Sequence, residues 1–126
     1  MIGKTTFSWK KRALSFKYAW QGISALLRYE HNARIHLFAA VVAVVAGFFF
    51  KISAMEWCLI AVCIGMVISA EAMNSAVEAL ADKISKEYDP LIGRAKDFGA
   101  GAVMILAFVA VVVGLIIFLP KFIALF

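Results

Sequence analysis

The stretch FGAGAVMILAFVAVVVGLIIFL, residues 98–119, holds no charged residue over 22 positions. As a helix rising ~1.5 Å per residue it would extend about 33 Å, enough to cross the ~30 Å hydrocarbon core of a bilayer. Just upstream, Asp89-Pro90 reads as an N-cap followed by proline at the first helical position. The sequence therefore predicts a membrane-crossing helix over about 90–119, closed by Pro120 and Lys121.

The rest of the chain fits the same solvent. Of its 126 residues 64% are hydrophobic, where soluble domains run nearer half. A chain this short buries too little of its surface to hide them all. That excludes a soluble globular enzyme, and disorder needs the opposite composition.

Moving toward the N-terminus, WCLIAVCIGMVISA (57–70) continues into EAMNSAVEALADKISKEY (71–88), a stretch with no Gly or Pro. One long helix from about 55 to about 86 is expected, its first half in lipid and its second half emerging. LFAAVVAVVAGFFF (37–50) is 14 residues long and too short to span alone. It becomes a span over about 33–51 by including Ala33 to His36 and letting Arg34 snorkel. Residues 52–56 are expected to form a short loop. Over 7–29, Trp9, Ala13, Phe16, Trp20, Ile23 and Leu27 recur at steps of three and four, which is one face of a helix. Lys10, Lys17, Gln21, Ser24 and Arg28 take the other, so a helix lying in the membrane surface is expected. The fold class is thus all-α: an amphipathic surface helix plus three transmembrane helices, in a single domain over 1–126.

Thirteen Lys and Arg against eight Asp and Glu leave a net charge of +5. An anionic leaflet accounts for that excess, and no nucleic acid is needed as partner. Seven of the cations lie in residues 1–34 and four in 82–97, against one in the 51–56 loop. The positive-inside rule then places the N-terminus and the 82–97 turn in the cytoplasm.

Three short patterns carry no chemistry. Gly3-Lys4-Thr5 lacks the strand and the glycine-rich run of a phosphate loop. Cys58 and Cys63 have neither zinc nor redox spacing and read as small buried apolar residues. His31 and His36 lack metal-site spacing, and His36 is expected to face the site or a neighbouring helix.

The chemistry concentrates on 71–82. Glu71, Asn74, Ser75, Glu78 and Asp82 fall on one helical stripe. Carboxylates at membrane depth are costly and usually mark a functional path or site. Glu30, Lys96 and Asp97 reach the same inferred depth from two other segments. Several carboxylates with an amide suit a hard cation such as Mg²⁺, and a lysine beside them suits phosphate. Phosphoryl transfer at a membrane surface is one reading. A proton relay through Glu71 and Glu78 is another, although the opposite half of the bilayer offers only Lys51 and Glu56 at its rim.

EAMNSAVEALAD (71–82) and GRAKDFGAGAV (93–103) together resemble the small prokaryotic diacylglycerol kinases, whose pattern is roughly E-x-x-N-S-A-[IV]-E-x-x-x-D followed by A-K-D and small residues. The resemblance runs from Trp20-Gln21-Gly22 through the last span. It implies a homotrimer in the bacterial cytoplasmic membrane, with active sites at subunit boundaries on the cytoplasmic side. The implied reaction takes phosphate from Mg·ATP to a lipid hydroxyl, either diacylglycerol or undecaprenol. By the same resemblance Glu71 is the catalytic base, and Glu30 and Glu78 hold Mg²⁺. Asn74, Asp82, Lys96 and Asp97 line the nucleotide site, and Tyr18, Glu87, Tyr88 and, more weakly, Lys11 touch ATP. His36 stands where the diacylglycerol-specific branch tends to carry a glutamate, whereas Glu87-Tyr88 and Gly93-Arg94-Ala95 look more like that branch. Both acceptors stay open.

Overall fold

The computed structural model describes residues 6–126, so Gly3-Lys4-Thr5 lies outside the described residues. The chain forms four helices: α1 (Trp9–Tyr29), α2 (His31–Phe50), α3 (Ala54–Ile84) and α4 (Pro90–Ile123). The last three are each long and apolar enough to cross a membrane.

Local chemistry sets the helix ends. The side chain of Ser8 accepts from the Lys11 amide, so α1 starts at Trp9 rather than 7. Ser53 caps α3 in a reciprocal box. Its hydroxyl accepts from the Glu56 amide at 3.2 Å, and Glu56 Oε1 accepts from the Ser53 amide at 3.0 Å. The helix thus begins at Ala54, close to the expected start near 55, and the loop is shorter than 52–56. Asp89 caps α4 as expected, accepting from the Leu91 and Ile92 amides, with Pro90 behind it.

The expected end of the last helix needs correction. Helix α4 does not stop before Pro120 but runs through it to Ile123. Proline withholds only its own N–H and clashes one turn back, and so near a helix end few bonds are lost. The Arg34 guanidinium reaches back past the start of α2 and donates to the carbonyls of Leu27 and Arg28 across the α1–α2 break, capping the last turn of α1.

Helix α4 lies along α3, α2 packs mainly on α3, and α1 touches α2 and α3 lightly. The core sits at the 51–53 turn, where Ile52, Ile60 and Ile117 are buried against Phe50, Trp57 and Phe118. Gly47 makes this closure possible: a Cβ there would lie 2.6 Å from the Trp57 ring. Both cysteines are free and neither is buried as expected: Cys58 is exposed and Cys63 half-buried. Large apolar side chains cover much of the outer surface, among them Phe38, Phe48, Phe108 and Ile116, as lipid-facing helices require.

Candidate active site

Helix α3 has 31 residues and so extends roughly 46 Å at ~1.5 Å per residue. About 30 Å of that crosses hydrocarbon, which an upright helix uses up some 20 residues from Ala54. The polar stripe begins at that depth.

Glu71 is buried, with 3% of its surface exposed. Its Oε1 stands 3.2 Å from His36 Nε2 on α2. Ala33, one turn before His36, is wholly buried, and its small side chain lets α2 approach. One turn beyond Glu71, Asn74 is also buried. Its Nδ2 donates to Glu78 Oε1 at 3.3 Å, which orients that carboxylate. Its Oδ1 faces α4 at Gly99, where a Cβ would lie 2.4 Å away. Among the described residues, this Oδ1 is the buried side-chain polar atom left without a hydrogen-bond partner. Farther along, Asp82 accepts from Lys96 Nζ at 2.7 Å and ties the end of α3 to the start of α4. Both side chains are substantially exposed, so the pair adds little stability. What it does is hold a cation beside the carboxylate stripe.

Glu30 sits in the α1–α2 break with extended backbone, and its side chain makes no cap bond. Together with Ser75 it lines a cavity of about 420 Å³ between α1 and α3. The protomer thus joins Glu71 to His36, Asn74 to Glu78, and Asp82 to Lys96. It does not bond Glu30 to the stripe. Lys11, Tyr18, Glu87, Tyr88 and Asp97 are exposed. The Tyr88 ring lies against Gly93, where a Cβ would meet it at 3.3 Å. Sequence spacing pointed to the stripe but could not show that Gly99 cradles Asn74 or that Arg34 secures the break carrying Glu30. The signals were there as the Gly99-Ala100-Gly101 run in a charged-to-apolar transition and a cation four residues past a helix boundary.

The model of the family described as "Prokaryotic diacylglycerol kinase" matches residues 17–118. The chain belongs to that family. It is 40% identical to an undecaprenol kinase of Bacillus subtilis over 85% of this chain and 87% of the relative. It is 38% identical to a diacylglycerol kinase of Escherichia coli K12 over 75% of this chain and 78% of the relative. A diacylglycerol kinase of Synechocystis is 34% identical over 89% of this chain, which spans 65% of that longer protein.

As a prokaryotic diacylglycerol kinase family member, the chain is a membrane-embedded lipid kinase with ATP as co-substrate. Such a kinase implies a divalent cation. Among the described residues no three His, Cys, Asp or Glu converge on a metal position. The donors at hand are nevertheless hard oxygens: the Asn74-oriented carboxylate of Glu78 and the uncommitted carboxylate of Glu30. They fit Mg²⁺, which takes one or two carboxylates plus phosphate oxygens and water.

Proposed function

We propose that this kinase transfers the γ-phosphoryl group of Mg·ATP to the hydroxyl of a membrane lipid alcohol, giving phosphatidic acid from diacylglycerol or undecaprenyl phosphate from undecaprenol. The observation that carries the reading is the buried Glu71 heading a row of oriented carboxylates where α3 outruns the bilayer. Glu71 takes the hydroxyl proton as the acceptor oxygen bonds to the γ-phosphorus and the bond to ADP breaks. Glu30 and Glu78 hold Mg²⁺, which neutralises phosphate charge when bound. Asn74 orients Glu78. Lys96, kept in place by Asp82, faces the phosphates with Asp97, and Tyr18, Glu87, Tyr88 and Lys11 contact the nucleotide from the edges. Helix α1 lies in the membrane surface, and residues 1–126 act as one domain.

The exposed position of Tyr18, Tyr88 and Asp97 on the protomer supports a homotrimer in which a neighbouring copy closes each site. The count of Lys and Arg supports a cytoplasmic site. Transfer of labelled γ-phosphate from ATP to diacylglycerol and to undecaprenol, run in parallel in mixed micelles, tests the reaction and selects the acceptor. No labelled lipid from either acceptor would refute it. For topology, a cysteine placed at Ser85 in a background lacking Cys58 and Cys63 should resist external reagents in intact cells, and one at Met55 should react. For assembly, Glu71→Gln and Asp97→Asn chains, each impaired alone, should regain activity when mixed in one micelle if a neighbouring copy's Asp97 completes the site headed by Glu71.

A further inference from the structure

We propose that His36 is a positioning residue for this reaction, holding the carboxylate of Glu71 by one oxygen so that the other is aimed at the acceptor hydroxyl. The inference rests on the reading of Glu71 as the base. Its own ground is the geometry across α2 and α3. Glu71 is nearly fully enclosed, and His36 is the one cationic or titratable group at ion-pair distance from it among the described residues. A buried carboxylate without a donor is expensive. The Nε2 of His36 lies 3.2 Å from Oε1, so a turn of the ring that aims a proton on Nε2 at that oxygen would meet that need.

The rest of the ring's surroundings strengthen the pairing. His36 also lines an apolar cavity of about 430 Å³ between α2, α3 and α4, whose walls are otherwise groups such as Ala39, Ala43, Val67 and Ala107. Apart from the weakly polar thiol of Cys63, side chains of that kind offer no competing partner to the imidazole. A low local dielectric on that side raises the weight of its interaction with Glu71. A free glutamate side chain loses rotamer freedom when it is fixed. Fixing it before the substrate arrives matters, because a base must lie about 2.6–3.2 Å from the proton it takes, and a ~1 Å misplacement costs on the order of a hundredfold. His36 supplies that fixing from a different helix, so the direction of Glu71 depends on how α2 seats against α3.

The test compares His36→Ala, His36→Gln and His36→Asn in the lipid phosphorylation assay, each alone and with Glu71→Gln. A glutamine amide nitrogen can occupy the place of Nε2, and an asparagine amide cannot reach it. His36→Ala and His36→Asn should lower kcat about ten- to a hundredfold with the KM for ATP within about twofold. His36→Gln should recover most of the rate. In the Glu71→Gln background His36→Ala should cost little more, because the two act as a unit. Circular dichroism and micelle-corrected size confirm that each variant is folded and assembled. His36→Ala with wild-type kcat, losses that simply add to those of Glu71→Gln, or a rise in the KM for ATP alone would each overturn the role. Failure of the function itself is separable, since there the wild-type chain phosphorylates neither lipid.

Discussion

The two ends of the α3–α4 pair are built from the same helices and finished differently. Beside the 51–53 turn the Glu56 carboxylate and the Lys121 ammonium are both used internally. Glu56 Oε1 takes the Ser53 amide and Oε2 takes Lys121 Nζ at 2.7 Å, while Lys121 also donates to the Ile117 carbonyl at 3.0 Å. Phe48 stacks near Trp57 with ring centroids 4.9 Å apart, over the buried isoleucines. At the other end Glu71 meets only His36, Asn74 Oδ1 meets no donor, and Glu30 leaves its cap position unfilled. One end completes itself, and the other holds oriented oxygens that only something outside the protomer can satisfy. Burying polar groups without full partners costs stability. That cost is confined to the end where nucleotide, metal and lipid hydroxyl are proposed to meet.

The largest effect that would break this contrast is at Glu71. Glu71→Gln keeps shape and cannot accept a proton, so turnover should fall at least ~100-fold with Mg·ATP binding near normal. Initial rates and nucleotide titration check it. Loss of binding with turnover intact would move the base elsewhere, with Asp97 the next carboxylate to test.

The two glycines that admit close neighbours sharpen the contrast. An alanine Cβ at 99 would lie 2.4 Å from Asn74 Oδ1, and one at 47 would lie 2.6 Å from the Trp57 ring. Gly99→Ala must push Asn74 and with it Glu78, so kcat/KM for ATP should drop about tenfold or more, with little loss of stability. Gly47→Ala overpacks the closed end and should cost about 1–3 kcal/mol of stability, with the rate per folded enzyme unchanged. Unfolding in detergent alongside steady-state kinetics separates the two. Lys121→Met should behave like Gly47→Ala but more weakly, lowering the thermal midpoint and sparing kcat.

The spans were legible because a bilayer imposes one rule on composition: residues 98–119 could only be a crossing helix. Asp89-Pro90 was legible because an N-cap is a local device. The Ser53–Glu56 box was equally local, yet reading 52–56 as a loop hid it. Pro120 reads as a stop only if a helix end needs all its bonds, and α4 continues past it. The polar stripe on α3 was legible from spacing alone. The pairs His36–Glu71 and Glu56–Lys121 were not, because periodicity orders residues around one helix and says nothing of how helices rotate against each other. The partners of Arg34 were hidden for a related reason: which carbonyls of the preceding helix a cation near a helix start meets depends on the chain path at Glu30.

The smallest expected effect lies in the turn at the closed end. Lys51 holds φ 52 and ψ 55, the only positive φ outside glycine among the described residues. For an L-residue with a Cβ that conformation costs roughly 1–2 kcal/mol, and glycine adopts it freely. The Lys51 amide donates to the carbonyls of Gly47 and Phe48, and both bonds survive a change of side chain. Against the gain stands the greater chain entropy that glycine loses on folding, about 0.5–1 kcal/mol. There is also the loss of a cation at the C-terminus of α2, worth about 0.3–1 kcal/mol when exposed. Lys51→Gly should therefore change stability by no more than about 1 kcal/mol, toward stabilisation if backbone strain dominates. Lys51→Ala keeps the strain and loses the charge, so it should be the less stable of the two. Neither should alter turnover, because the turn lies a full membrane thickness from Glu71. A change in kcat with either variant would mean that the closed end is coupled to the open one, and the division between a self-completed end and a waiting end would fail.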